Sequence, residues 1–95
     1  MEELLKVLEQ LYAEEGNSIA SEYGDEEYFV ESELRDEAEG LCNECLITNG
    51  GQCNWDNIHK LRSNGYLVFA GEKDSFGWLT GCVQKRGDQR VLVYG

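Results

Sequence analysis

The sequence predicts a single α+β domain over residues 1–95, in which acidic N-terminal helices and a short third helix pack on a C-terminal three-stranded antiparallel β-meander. Two changes in pattern lead to this class. Up to Leu61, apolar residues recur at three- and four-residue spacing, which is typical of helices. After Gly65 the spacing changes to two, and β-branched and aromatic residues become frequent, which is typical of strands. A chain of 95 residues suffices for one modest core and excludes a second domain.

The first helix is predicted over Glu2–Glu15, with Gly16 at its end. Its apolar stripe lies opposite the glutamates and consists of Leu4, Leu5, Leu8, Leu11 and Tyr12. The following stretch, Ser18–Gly24, is short, and a helical conformation would place its apolar side chains on one face. A second long helix is expected after it, because Asp25 is a suitable N-cap and acidic residues fill the first turn. The apolar positions of this second helix are Val30, Leu34, Ala38, Leu41 and Cys45.

Asn54 is a good cap for the third helix, and Asn64-Gly65 is expected to end it. The strands are then predicted at Tyr66–Ala70, Trp78–Lys85 and Arg90–Tyr94, joined by hairpin connections. Three strands alone bury too little apolar surface, so helices must cover one face of the sheet.

The pattern leaves open which face of the sheet is covered. One candidate set is Leu67, Phe69, Leu79, Val83, Leu92 and Tyr94, and the other is Tyr66, Val68, Trp78, Cys82, Val91 and Val93. An uncovered apolar face of this size would imply dimerisation, so the chain is expected to be a monomer or a homodimer.

Charge is distributed unevenly along the chain. Residues 1–40 carry a formal net charge of −12, whereas residues 41–95 carry +1. Such an acidic field repels nucleic acid and anionic membranes and attracts basic protein surfaces. Direct nucleic-acid binding and membrane binding are therefore not expected. The alternative is that the carboxylates only keep the protein soluble.

The leading functional hypothesis is a non-enzymatic protein-interaction module that binds a basic protein surface and needs no cofactor. One concrete form is an inhibitor or nucleic-acid mimic of phage or mobile-element type, in which a helix over residues 26–39 presents carboxylates to a cleft built for phosphates. The outward-facing carboxylates of that helix would be Glu26, Glu27, Glu31, Glu33, Asp36 and Glu37.

The alternative hypothesis is a small zinc-stabilised module. Cys42, Cys45, Cys53 and His59 supply four potential ligands within eighteen residues, and tetrahedral zinc is bound by such thiolate and imidazole sets. However, Cys42 and Cys45 also fit the inner face of a helix, where cysteine acts as a small buried hydrophobic residue.

Cys53 stands immediately before the third helix, and the N-terminus of a helix is a favourable place for a reactive thiol. The string Gly51-Gln52-Cys53-Asn54-Trp55 resembles the nucleophile region of papain-like and transglutaminase-like cysteine enzymes. The resemblance covers five residues and implies Cys53 as nucleophile, with a general-base histidine on a strand of the sheet. His59 is the only histidine and lies on the same predicted helix. The chain is therefore predicted not to be an enzyme.

The acidic start of the chain does not resemble an export signal, so a cytoplasmic protein with reduced thiols is expected. The predicted loop from Glu72 to Trp78 is acidic and aromatic. Exposed Phe76 or Trp78 would be an anchor for a partner, whereas inward-pointing rings would only support the loop.

Overall fold

The computed structural model describes residues 1–73 and 79–95 of the chain. The helices that it describes are α1 (Glu2–Ala13), α2 (Glu33–Leu46) and α3 (Trp55–Ser63). The described strands are β1 (Ser18–Ala20), β2 (Glu27–Phe29), β3 (Tyr66–Lys73), β4 (Leu79–Lys85) and β5 (Arg90–Tyr94). The predicted α+β class is confirmed.

The sheet is larger than predicted. Its strands lie in the order β1-β2-β5-β4-β3, and every neighbouring pair is antiparallel except β2 and β5, which are parallel. The predicted antiparallel meander is present as β3, β4 and β5. The two N-terminal strands extend it on the β5 side, so the sheet is five-stranded and mixed.

The prediction of a long second helix starting at Asp25 was wrong. The chain from Glu27 to Phe29 is a strand, whose Glu27 lies beside Arg90 and whose Tyr28 lies beside Val91. The helix begins only at Glu33, because Ser32 is the residue that caps it: the Ser32 hydroxyl accepts a hydrogen bond from the Arg35 amide at 3.1 Å. Segment 18–24 is not helical either, since β1 pairs with β2.

The helices pack on one side of the sheet, which we call the inner face. Its buried side chains are Phe29, Tyr66, Val68, Val83, Leu92 and Tyr94. They meet the apolar stripe of α1 in one core, and the Tyr12 hydroxyl donates a hydrogen bond to the Val83 carbonyl at 2.7 Å. Because both groups are buried, this hydrogen bond fixes the position of α1 relative to the sheet.

Neither candidate set for the covered face was right, because each combined residues from both sides. Val68 lies beside Val83, and Val83 lies beside Leu92, so these three residues share the inner face. Within each strand, the sequence predicted which side chains share a face. It did not predict the register between neighbouring strands, which decides which of these sets lie on the same side of the sheet. A shift of one residue between neighbouring strands exchanges the two faces.

Arg90 ties the end of α1 to the sheet. Its guanidinium donates to the carbonyls of Tyr12 and Glu14, to the side chain of Asn17 at 2.9 Å and to the carboxylate of Asp88 at 2.7 Å. The carbonyls at the end of a helix have no partner within it, so an external donor is needed where glycine does not close the turn. In this chain the donor comes from the first residue of β5.

Candidate functional site

The six carboxylates predicted to bind a partner do not share a helix. Glu26 precedes β2, Glu27 lies within it, and Glu31 lies in the connection to α2. Glu33, Asp36 and Glu37 lie in the first two turns of α2, where the helix dipole favours negative charge. We call this set the acidic strip; it consists of Glu26, Glu27, Glu31, Glu33, Asp36 and Glu37.

Five members of the acidic strip are exposed, and Glu27 is half-buried. Glu27 accepts a hydrogen bond from the Ser18 hydroxyl at 2.7 Å, which joins β2 to β1. Asp36 forms an ion pair with Arg35 at 3.0 Å. Glu27 therefore supports the local fold, and the exposed carboxylates remain accessible to a partner.

A shallow groove lies at the start of the acidic strip, on the turn between β1 and β2. Tyr23 is 96% exposed there, and the Tyr28 hydroxyl donates to the Glu26 carboxylate at 3.2 Å. A groove with aromatic rings and carboxylates suits a guanidinium group, which stacks on rings and binds carboxylates through two parallel hydrogen bonds. The groove is lined by Ser21, Tyr23, Gly24, Asp25, Glu26 and Tyr28.

The cysteines and the histidine of the zinc hypothesis lie in different surroundings. Cys42 is fully buried in the core, and burial raises the pKa of its thiol to about 12. Cys45 and Cys53 are half-buried, whereas His59 is exposed. Within the part of the chain whose side chains are described, no three His, Cys, Asp or Glu residues are grouped to hold a metal ion. The zinc hypothesis therefore rests on the sequence pattern alone.

Cys53 and His59 are both placed by α3. Asn54 caps the helix as predicted, since its side chain accepts a hydrogen bond from the Asn57 amide. The backbone at Cys53 pairs with Ile47 in a short bridge. The exposed His59 ring lies 6.2 Å from the Trp55 ring. The strand histidine that the cysteine-enzyme resemblance implies has no counterpart in this sequence, because His59 is its only histidine.

The two aromatic residues proposed as loop anchors, Phe76 and Trp78, lie outside the described residues. The side of the sheet opposite the helices is described, and sequence reasoning did not identify it. We call it the outer face. Several of its apolar side chains are exposed, with Ile19 at 59%, Phe69 at 55% and Val93 at 46%. The sequence does contain a signal for this face, because apolar residues occupy both alternating sets of positions along the strands.

The comparisons give this surface no precedent. No protein-family model matches the chain, and no curated protein or solved structure is significantly similar to it. In the described part of the chain, none of the helices has the length and apolar character needed to cross a membrane.

Proposed function

We propose that the protein is a non-enzymatic interaction module that binds a basic protein surface through the acidic strip. The observation that carries this proposal is the exposure of five of its six carboxylates, which lie before β2, in the connection to α2 and at the start of α2. A cluster of surface carboxylates attracts basic partners over a distance of about 10 Å at moderate salt. The formal net charge of −11 adds to this attraction.

The groove at Tyr23 supports the same proposal. An arginine of the partner that entered it would meet the Asp25 and Glu26 carboxylates and two tyrosine rings. Such contacts fix orientation, whereas diffuse charge only raises the association rate. We therefore expect arginine to be preferred over lysine in the partner.

The test compares two triple variants that change the net charge equally. Glu31→Gln, Glu33→Gln and Glu37→Gln neutralise the acidic strip. Neutralising Glu2, Glu3 and Glu9 on α1 in the same way is the matched control. Both variants shift the formal charge from −11 to −8, and each removes at least one carboxylate from the first turn of a helix.

The probe is a short peptide of alternating arginine and glycine, titrated by calorimetry at low and at physiological salt. We expect the strip variant to bind the peptide roughly 10-fold more weakly and the α1 variant to stay within about 2-fold of the wild type. Binding should also weaken as salt increases. Equal loss in both variants, or binding that salt does not change, would contradict the proposal.

A further inference from the structure

The outer face is a candidate for a second interface, because the helices leave it uncovered. Cross-strand pairing places one row of residues across all five strands. The next row towards the end of β5 contains Val93, Cys82 and Phe69. Val91, in the middle of the face, is only 6% exposed, and the exposed apolar side chains are Ile19, Leu67, Phe69 and Val93. Several exposed apolar side chains on one face mark an interaction site. From the β1 edge to the β3 edge, the row that crosses all five strands consists of Ile19, Tyr28, Val91, Gln84 and Leu67.

The two sides of the outer face carry opposite charges. Glu26 lies beyond Tyr28 on the β2 side, and its carboxylate accepts a hydrogen bond from the Tyr28 hydroxyl at 3.2 Å. On the β3 side, Arg62 and Arg86 flank Leu67 and line one surface groove with it. Among the residues whose side chains are described, the face therefore has an acidic group, Glu26, on the β2 side and the basic groups Arg62 and Arg86 on the β3 side.

The registers place Glu26 and Arg86 at equivalent positions. Val91 in β5 has Tyr28 beside it on one side and Gln84 on the other. Moving two residues towards the same end of the sheet leads from Tyr28 to Glu26 and from Gln84 to Arg86. Glu26 and Arg86 each lie one residue beyond their strands, where the hydrogen bonds from the Ser21 amide to the Glu26 carbonyl and from the Arg86 amide to the Gly65 carbonyl continue the pairing. Because two steps along an extended chain keep the same face, the two charges lie on either side of β5.

We propose that two copies of this chain pack outer face to outer face, related by a two-fold axis parallel to the strands. This axis places the β2 side of one copy opposite the β4 side of the other, so Glu26 of each copy faces Arg86 of the second copy. It also places Ile19 opposite Leu67, which joins apolar residues at both edges. A two-fold axis in the interface at right angles to the strands would instead place like charges on the same side.

The size of the face sets the strength of the contact. Five strands about 4.8 Å apart, each about 10 to 25 Å long, give a projected area on the order of 400 Å². Stable interfaces bury roughly 800 Å² on each partner. The dimer is therefore reversible and dissociates on dilution. In sheets that pack face to face, the strand directions of the two sheets lie within about 30° of each other.

The charge arrangement gives the decisive experiment, which uses Glu26→Arg and Arg86→Glu at fixed physiological salt. In either single variant, both contacts of a homodimer join like charges, and we expect the dimer dissociation constant to rise roughly 10-fold. When the two variants are mixed, a heterodimer restores two contacts of opposite charge. Native mass spectrometry separates it from both homodimers by mass, and we expect it to be the main dimer.

Net charge alone predicts a different result for one variant. Glu26→Arg shifts the formal charge from −11 to −9, so weaker overall repulsion would strengthen its homodimer. A stronger Glu26→Arg homodimer, or a mixture without preferred heterodimer, would overturn the proposed arrangement. A wild-type chain that sediments as a monomer up to about 1 mM would overturn the dimer itself.

A second pair of variants tests the apolar part of the face. Phe69→Ser combined with Val93→Ser should raise the dissociation constant by about 30-fold or more, because two copies each lose two buried side chains. Trp55→Ser on α3 is the matched control, since Trp55 is 52% exposed and Phe69 is 55% exposed. Equal effects of the two variants would contradict the proposal, and circular dichroism verifies that each variant is folded.

This inference and the proposed binding of a basic partner share Glu26, which belongs to the acidic strip and faces Arg86 in the dimer, so variants at other residues separate the two. Arg86→Glu lies outside the acidic strip and is expected to weaken only the dimer. The triple glutamine variant of Glu31, Glu33 and Glu37 is expected to weaken only binding of the arginine peptide. The failure of either proposal is therefore visible without the other.

Discussion

The two faces of the sheet are built from similar apolar residues but have different surroundings. On the inner face, Val83 is fully buried under the helices, whereas Val93, one strand away on the outer face, is 46% exposed. Strand alternation makes both faces suitable for burial. The placement of the helices decides which face becomes the core, and several apolar side chains of the other face stay exposed.

Of the substitutions that test this comparison, replacement of Arg90 should lower the stability most, because Arg90 joins the helical layer to the inner face. Arg90→Leu leaves the carbonyls of Tyr12 and Glu14 without their donor and Asp88 without its cation. We expect a loss of about 3 to 4 kcal/mol in the free energy of unfolding, measured by urea titration of dilute protein.

The control for Arg90 is Arg86→Leu at the edge of the outer face. Arg86 is exposed, and its replacement should change the stability of the dilute monomer by less than about 0.5 kcal/mol. Similar losses in the two variants would show that the Arg90 contacts do not hold the layers together.

The two faces can be compared directly with one substitution. Val83→Ala opens a cavity in the core and should cost about 2 kcal/mol, whereas Val93→Ala should cost less than about 0.5 kcal/mol in the monomer. Unfolding of both variants is measured at a concentration below that of dimer formation. If Val93→Ala proved as costly as Val83→Ala, the outer face would already be covered within the monomer.

The smallest expected effect concerns acid. Hydrogen bonding from Arg90 lowers the pKa of the Asp88 carboxyl below its ordinary value of 3.8. A carboxyl with a lower pKa in the folded chain stabilises the fold while it is ionised. This contribution is present above about pH 4 and is lost as the pH falls through the folded pKa. Because Asp88 lies near the surface, we expect about 1 kcal/mol or less.

The measurement is urea unfolding of the wild type and Asp88→Asn between pH 7 and pH 2. The stability difference between them should shrink as the pH falls below 4. Asp36→Asn controls for the loss of one carboxylate, since the Asp36 side chain is 65% exposed in its ion pair with Arg35. A difference that stays constant with pH would contradict the role given to Asp88.

Local signals explain which elements the sequence predicted. The apolar stripe from Leu4 to Tyr12 and the Asn54 cap depend on neighbours within a few residues. The structure confirms the cap and four of the five stripe residues, whereas Leu5 is half-buried and Val7 is buried in addition. The strands β3, β4 and β5 were also found, because glycine-containing turns separate runs of clear alternation. Their faces were not assigned, because register depends on turn geometry that composition does not give.

Non-local pairing explains what was missed. Ser32 and Asp25 are both good helix caps, and local rules do not choose between them. The choice follows from the pairing of Tyr28 with Val91, which turns the intervening chain into a strand. The candidate site changed with it, because three of its carboxylates moved from a helix to a strand and a loop. The sequence predicted the exposure of Glu26 and Glu31, but it predicted neither the half-burial of Glu27 nor the spacing of the three carboxylates.

The parallel contact between β2 and β5 also sets the order in which the sheet forms. Neighbouring strands of the meander meet after short turns, whereas pairing Glu27 with Arg90 closes a loop of about sixty residues. Long-range pairing of this kind is slow, so β1 and β2 should add to a meander that is already formed. The same strands should open first in amide hydrogen exchange. A partner that binds the acidic strip would then slow exchange in β1 and β2 more than in the rest of the sheet.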